Sequence, residues 1–208
     1  MLNYADIDKS KKGYIFELDD VLYPERDYLL QVYYLFANFI EFTETVPTSN
    51  ELVSFLKSAY ENHGSDGLFE RASQMFGIDE KYKENFTKLH HTARLPLKLV
   101  LYPHMLSLLQ EMVIDRKQIF VVTNGDPEVQ LNKIRQVEWN GLEQYLVVYF
   151  ADEIKPKPQT DVLEYILGKH QLLRKELVVL GRSDIDEEFA SAAGVDFVDS
   201  NDFSDQNS

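Results

Sequence analysis

The chain has 208 residues, of which 44% are hydrophobic, so it is long and apolar enough to bury the core of one domain that carries an insertion. With 35 acidic against 21 basic residues its formal net charge is −14, and a field of that sign repels nucleic acids and anionic membrane surfaces. The absence of cysteine excludes disulfides, thiolate metal sites and thiol nucleophiles.

The start of the chain and its apolar stretches bear on its location. Residues 1–13 are polar and charged and lack the apolar segment of a signal peptide. No apolar stretch approaches the roughly 18 to 20 residues that cross a bilayer. We therefore expect a cytoplasmic protein without membrane or nucleic-acid partners, and the sequence leaves homo-oligomer formation open.

Five short apolar runs predict the strands of a buried parallel sheet, because they are rich in β-branched and aromatic residues with little polar alternation. Helix-length segments separate most of them, which indicates βαβ units and a doubly wound α/β core. The predicted strands are residues 14–18, 118–123, 146–151, 177–181 and 195–198. We expect the core to comprise residues 13–23 and 97–199, with flexible ends at 1–12 and 200–208.

The long segment after the first predicted strand carries only helical patterns. Residues 24–96 are therefore expected to form an inserted helical cap, and Thr48 to Glu51 has the sequence of a capping box that opens one of its helices. Glycines at 64 and 77 are stop signals for two of these helices. The predicted helices span residues 26–43, 49–63, 66–76 and 80–92.

The first predicted strand ends in a cluster of carboxylates. Glu17 and Asp19 alternate with Leu18, so both acidic side chains point to the same side of the strand end. The carboxyl ends of parallel strands are where open α/β sheets bind ligands.

Three further motifs follow in the chain. The second predicted strand ends in Thr123-Asn124-Gly125, and a turn of alternating lysine and proline covers residues 155–158. A later apolar run ends in Gly181-Arg182-Ser183, followed by acids at 184 and 186. Together with the first motif, these pieces resemble the signature of the haloacid dehalogenase superfamily, whose members are mostly Mg²⁺-dependent phosphatases.

The resemblance covers residues 13–198 and implies a Rossmann-like core with a helical cap. It also implies site roles. Glu17 stands at the position of the nucleophile, Asp19 at that of the general acid and base, and Thr123 and Lys155 complete the catalytic set. Thr123, Asn124 and Lys155 are the implied phosphate-binding residues. Glu17, Asp19 and Asp186 are the implied metal ligands, with Mg²⁺ as the cofactor.

Two positions depart from the family pattern. Glu17 and Arg182 both stand where the family normally has aspartate. A guanidinium offers hydrogen-bond donors only, whereas Mg²⁺ requires oxygen ligands, so Arg182 disfavours the metal. Arginine and carboxylate often pair, which leads to the hypothesis that Arg182 contacts Glu17 or Asp19 and replaces the ion.

These observations predict a haloacid dehalogenase-like protein with lost or strongly reduced phosphohydrolase activity that retains a pocket for a small phosphorylated ligand. Two alternatives stay open. The chain is an altered, slower phosphatase that uses Glu17 and Asp19, or it is a non-catalytic protein-interaction module. The substrate cannot be named from the sequence, because residues 24–96 carry no recognisable motif.

Overall fold

A parallel sheet of five strands forms the centre of the fold in the computed structural model, which describes residues 4–203. The strands in chain order are β1 (Gly13–Phe16), β2 (Leu99–Val100), β3 (Gln118–Thr123), β4 (Val137–Glu138), β5 (Leu146–Phe150), β6 (Leu177–Gly181) and β7 (Asp196–Asp199). The order in the five-stranded sheet is β5-β3-β1-β6-β7, and every neighbouring pair is parallel. A second sheet has two strands, β2 and β4.

Eight α-helices alternate with or follow these strands in the described part of the chain. They are α1 (Glu25–Glu44), α2 (Ser49–His63), α3 (Leu68–Phe76), α4 (Lys83–Thr92), α5 (Pro103–Ile114), α6 (Pro127–Gln136), α7 (Asp161–His170) and α8 (Asp184–Ala193). Among residues 4–203, no helix is both long and apolar enough to cross a membrane. The predicted α/β fold with a parallel sheet is confirmed, and the predicted strands differ from the observed ones by at most two residues at either end.

The chain divides into two compact units. The sheet unit runs to Pro24, from Val100 to Gln130 and from Val137 onward, and the helical unit consists of Glu25–Leu99 and Leu131–Gln136. In the sheet unit, all four residues of β1 and all five of β6 are buried. Burial on both faces explains why these strands are continuously apolar rather than alternating.

The register of the sheet places its polar strand ends side by side. Phe16, the last residue of β1, is level with Val121 of β3 and Leu180 of β6. Glu17 then donates its backbone N–H to the carbonyl oxygen of Leu180 at 3.2 Å, so the residues after β1 emerge at the carboxyl edge of the sheet.

Of the ends that are predicted to be flexible, residues 1–3 and 204–208 lie outside the described residues. Residues 4–12 make defined contacts with later parts of the chain. The Tyr4 hydroxyl donates to Asp115 Oδ2 at 2.8 Å, and the Lys11 ammonium donates to the Lys175 carbonyl oxygen and pairs with Asp196. The apolar Tyr4 ring is buried, which explains why this segment packs on the sheet unit.

Aromatic side chains form the interior of the helical unit. Phe36 of α1 lies edge-on to Phe86 of α4, with ring centroids 4.9 Å apart, and Tyr33 stacks on Phe86 at 6.1 Å. The predicted capping box is present at the start of α2, where the Thr48 backbone N–H donates to Glu51 at 3.0 Å. Such a box satisfies backbone donors that the first helical turn leaves unpaired.

His90 makes this helical unit sensitive to acid. The imidazole lies against the rings of Phe86, Tyr28 and Tyr33, and burial, helped by the nearby Lys133, lowers its pKa from 6.5 to about 4. In the unfolded chain His90 takes up a proton below about pH 6.5, whereas the folded protein does so only near pH 4. The free energy of unfolding should therefore fall between these pH values, by at most about 3 kcal/mol.

Urea denaturation at pH 7 and pH 4.5 measures this contribution. A His90→Phe variant keeps an aromatic ring but cannot be protonated, so it should lose less stability over this interval than the native chain. His63→Phe, at an exposed position, serves as the matched control and should behave like the native chain. Equal losses for the native chain and His90→Phe would contradict the prediction.

Candidate functional site

Three strand ends bring the predicted site residues together at the carboxyl edge of the sheet unit. Glu17 and Asp19 follow β1, Thr123 is the last residue of β3, and Asp186 lies in the first turn of α8 after β6. This edge is where parallel α/β sheets bind ligands, because side chains from neighbouring strand ends converge there.

A buried lysine joins two of these acids. The ammonium of Lys157 contacts Glu17 Oε2 and Asp186 Oδ1, and the three side chains are 3%, 14% and 4% exposed, in the order Lys157, Glu17, Asp186. Charges this deep are stable only when they are paired and hydrogen-bonded. We refer to these three residues as the lysine–carboxylate cluster.

Lys155 was predicted to be the lysine of the site, but the lysine in the cluster is Lys157. Lys155 points to the surface and pairs with Asp161 at 2.8 Å, with both side chains well exposed. The choice depends on Asn124. Its side-chain amide accepts from the Lys157 backbone N–H at 2.8 Å and donates to the Lys157 carbonyl oxygen at 3.0 Å, which fixes this residue beside β3.

The charges of the cluster explain its pKa shifts. Burial opposes ionisation of Lys157, but the facing carboxylates of Glu17 and Asp186 outweigh it and raise the lysine pKa. Burial also opposes ionisation of Asp186, yet Lys157 and hydrogen bonds from Ser183 lower its pKa overall. Burial raises the pKa of Glu17 despite the same lysine. One ammonium therefore balances Asp186 well and Glu17 less completely.

Asp186 is held by the turn between β6 and α8. Its Oδ2 atom accepts from the backbone N–H groups of Arg182 and Ser183, both at 3.1 Å, and from the Ser183 hydroxyl at 2.7 Å. Ser183 caps α8 and forms a reciprocal capping box with Asp186. A Cβ atom on Gly181 would lie 2.7 Å from Asp186 Cγ, so glycine there permits the close approach of this carboxylate.

The Glu17 carboxylate is turned back onto its own strand end. One oxygen accepts the Leu18 backbone N–H at 2.6 Å while the other contacts Lys157. Both oxygens of the residue at the predicted nucleophile position therefore already accept hydrogen bonds. The extra methylene of glutamate, relative to aspartate, supplies the reach for this fold-back.

Asp19 is held by two side chains that the sequence analysis did not identify. Its Oδ1 accepts from the Tyr23 hydroxyl at 2.7 Å and its Oδ2 from Gln130 Nε2 at 2.9 Å. Gln130 also donates to the Thr123 hydroxyl oxygen at 2.8 Å and to the carbonyl oxygen of Asn124 at 2.7 Å. Gln130 thus connects the carboxylate after β1 to the hydroxyl that ends β3.

The hypothesis that Arg182 pairs with Glu17 or Asp19 is wrong. The Arg182 side chain is exposed, and its guanidinium makes no hydrogen bond or salt bridge with any other residue in the range 4–203. Lys157 supplies the positive charge beside Glu17 instead. Arg182 contributes to the cluster only through its backbone N–H, which donates to Asp186.

The acids at this edge, as they are placed, do not fit the Mg²⁺ site that the family resemblance of the sequence implies. Mg²⁺ requires near-octahedral oxygen ligands, but Glu17 and Asp186 share the Lys157 ammonium, and Asp19 is bound by Tyr23 and Gln130. In the described part of the chain, no group of three or more histidine, aspartate or glutamate side chains is placed to hold a metal. In this arrangement the three carboxylates accept hydrogen bonds from an ammonium, a hydroxyl and an amide.

Solved structures with a similar fold include haloacid dehalogenase-type hydrolases. A protein assigned as a β-phosphoglucomutase from Thermotoga maritima has a TM-score of 0.62 and 16% identity over 92% of this chain and 96% of its own. The hydrolase YfnB from Bacillus subtilis, determined bound to magnesium, has a TM-score of 0.60 and 16% identity, over 90% and 87% of the two chains. At these identities the similarity establishes the fold.

A third similar structure is a haloacid dehalogenase-superfamily hydrolase of subfamily IA from Geobacter sulfurreducens, with a TM-score of 0.53 and 21% identity over 93% of this chain and 89% of its own. No curated protein matches the chain in sequence. The model of the haloacid dehalogenase-like hydrolase family matches residues 14–199, which is most of the sequence. The chain therefore belongs to the haloacid dehalogenase-like hydrolases.

Proposed function

We propose that this protein binds a small phosphorylated molecule at the lysine–carboxylate cluster and hydrolyses it slowly or not at all. The observation that carries the proposal is the buried Lys157 ammonium held between Glu17 and Asp186. The solved structures similar to this chain include proteins assigned as a phosphoglycolate phosphatase and a β-phosphoglucomutase, and the family generally uses Mg²⁺. In this chain the Lys157 ammonium contacts two of the acids, Glu17 and Asp186, that the resemblance implies as metal ligands.

The cluster keeps the means to attract a phosphate. Its ammonium lies at the carboxyl edge of the sheet, beside the backbone N–H of Leu18. Lysine is a common point charge for phosphate, and backbone N–H groups are the other usual donors. Both donors contact the Glu17 carboxylate, which is the most exposed member of the cluster. An incoming phosphate therefore competes with that carboxylate for the two donors.

The same arrangement disfavours catalysis. A nucleophile at position 17 must present a free oxygen to phosphorus, whereas both Glu17 oxygens accept hydrogen bonds. A misplacement of a reacting group by about 1 Å lowers rates by on the order of 10²-fold. Asp19 is fixed to Tyr23 and Gln130, which leaves it poorly placed to carry a proton to and from a leaving group.

The proposal is tested by measuring the binding of inorganic phosphate in EDTA, together with hydrolysis of an aryl phosphate in a Mg²⁺ titration. We expect saturable binding without metal and turnover close to background. Glu17→Gln removes the competing charge and leaves one ammonium paired with one carboxylate, so phosphate should bind at least about tenfold more tightly. Glu188→Gln removes an exposed acid of α8 and serves as the control with the same change in net charge.

Two results would overturn the proposal. The first is metal-dependent turnover by the native chain that disappears in Asp19→Asn, which would make the altered site a working phosphatase. The second is phosphate affinity that is undetectable in the native chain and in Glu17→Gln alike, which would leave an interaction module with no ligand at this edge.

A further inference from the structure

A second charged site lies in the helical unit. Residues 91–98, after and at the end of α4, face residues 132–136 of α6 across a cavity of about 630 Å³, which we call the basic cleft. Cavities of roughly 300–1,000 Å³ are typical of small-molecule sites. The cleft is formed within this unit alone and shares no residue with the lysine–carboxylate cluster.

Side-chain amides of α6 hold the two walls of the basic cleft together. Gln136 donates to the carbonyl oxygen of Ala93 at 2.6 Å and accepts from the backbone N–H of Leu95 at 2.7 Å. Asn132 donates to the same Ala93 oxygen at 3.2 Å. These bonds bridge residues about 40 positions apart in the chain, so the irregular segment after α4 has a defined conformation against the helix.

The lining of the cleft is cationic. Three exposed cations, Arg94, Lys98 and Arg135, are among the lining residues, and no aspartate or glutamate lines the cavity. None of these three cations makes a hydrogen bond or salt bridge through its side chain to another of the residues 4–203. On a chain with a net charge of −14, three neighbouring cations without acidic partners are unusual, since opposite charges are abundant elsewhere on its surface.

Stabilisation of helix ends does not explain all of this charge. Arg135 lies in the last turn of α6, and Arg94 follows the last residue of α4 by two positions, so both can interact favourably with a helix dipole. Lys98 lies outside any helix, directly before β2, and has no such role. Like charges brought together repel one another, so their placement around one cavity is favourable chiefly when an anion fills it.

We propose that the basic cleft binds a small polyanion that carries at least two phosphate or carboxylate charges. Two guanidinium groups provide planar, forked donors that suit either oxyanion, and Lys98 adds a third charge. The volume admits a molecule much larger than inorganic phosphate. This site goes beyond the proposed function, because it lies in the other unit and requires neither Lys157 nor Glu17.

Isothermal titration with pyrophosphate and with citrate, in metal-free buffer without EDTA at low salt, tests the site. Low salt keeps the screening of exposed charges small. Arg94→Gln/Arg135→Gln should weaken binding at least about tenfold, because two of three cations are lost. Lys57→Gln/Lys88→Gln removes the same charge from exposed positions of the same unit and should leave the affinity unchanged.

The two probes identify the preferred oxyanion. Binding of pyrophosphate alone assigns the cleft to phosphates, and binding of both probes assigns it to polyanions in general. The proposal is overturned if neither probe binds saturably at millimolar concentration, or if both double variants weaken binding equally. It is also overturned if the affinity responds to Glu17→Gln and not to the cleft variant, since pyrophosphate then binds at the lysine–carboxylate cluster.

Discussion

Replacing Lys157 by methionine should lower the free energy of unfolding by about 3–5 kcal/mol, the usual cost of removing one partner from a buried ion pair. The variant leaves the carboxylates of Glu17 and Asp186 buried together without a cation. Methionine fills nearly the volume of the lysine stem, so the loss is electrostatic rather than a packing defect. Chemical denaturation monitored by far-UV circular dichroism measures it.

Lys155→Met is the matched control. The residue lies two positions earlier in the same turn and has the same side chain, and its one ion pair among residues 4–203 is with the partly exposed Asp161. Because solvent screens such a pair, the denaturation midpoint should not change. Equal effects of the two substitutions would show that Lys157 is not the buried cation of the site.

A rescue variant separates the unpaired charge from other causes of the stability lost in Lys157→Met. Glu17→Gln in the Lys157→Met background removes one of the two unpaired carboxylates, so part of the lost stability should return. No such recovery is expected from Glu188→Gln, which changes an exposed acid of α8. If neither substitution changes the free energy of unfolding of Lys157→Met, the lost stability has a packing cause, and the electrostatic explanation is contradicted.

Much of the fold was predictable because its determinants are local. The strands β1, β3 and β6 are continuous apolar runs, and burial on both faces requires that pattern. The start of α2 was predictable from Thr48 and Glu51, which meet within one helical turn. The packing of Tyr4 was missed, since a single aromatic residue in a polar segment does not reveal its partner Asp115.

The sequence was sufficient to predict which strand ends carry the site residues. It was not sufficient to predict which side chains contact one another there. Lysines 155 and 157 are equivalent by sequence, and the side chain of Asn124, about thirty residues away, decides which of them is buried. Gln130 belongs to no motif, although it contacts both Asp19 and Thr123. Arg182 was expected to turn toward the acids, but Lys157 already occupies them and the guanidinium faces solvent.

Restoring aspartate at both divergent positions should create metal-dependent activity. In Glu17→Asp/Arg182→Asp the local charge becomes more negative by two, and the new acid stands at the position whose backbone N–H donates to Asp186. The shorter side chain at 17 should no longer fold back onto Leu18 as Glu17 does. Hydrolysis of an aryl phosphate in millimolar Mg²⁺ should rise by at least on the order of 10²-fold over the native chain.

The two single reversions show how much of the gained activity comes from the new metal ligand at 182 and how much from the shorter side chain at 17. Arg182→Asp alone should gain Mg²⁺-dependent thermal stabilisation with little turnover, because it supplies an oxygen ligand without repositioning the residue at 17. Glu17→Asp alone should gain neither. Asp19→Asn in the double reversion should abolish the new activity if Asp19 acts as the proton-transfer group.

A double reversion that binds Mg²⁺ but remains inert would contradict the predicted gain and direct attention to Tyr23 and Gln130. These residues hold Asp19 through both of its oxygens, and a fixed carboxylate transfers protons poorly. A double reversion that neither binds Mg²⁺ nor hydrolyses the substrate would instead mean that Lys157 still pairs with Asp186 and the acid at 17 after Arg182 is replaced. In that case the Lys157 ammonium, rather than the residues at 17 and 182, determines whether this site takes Mg²⁺.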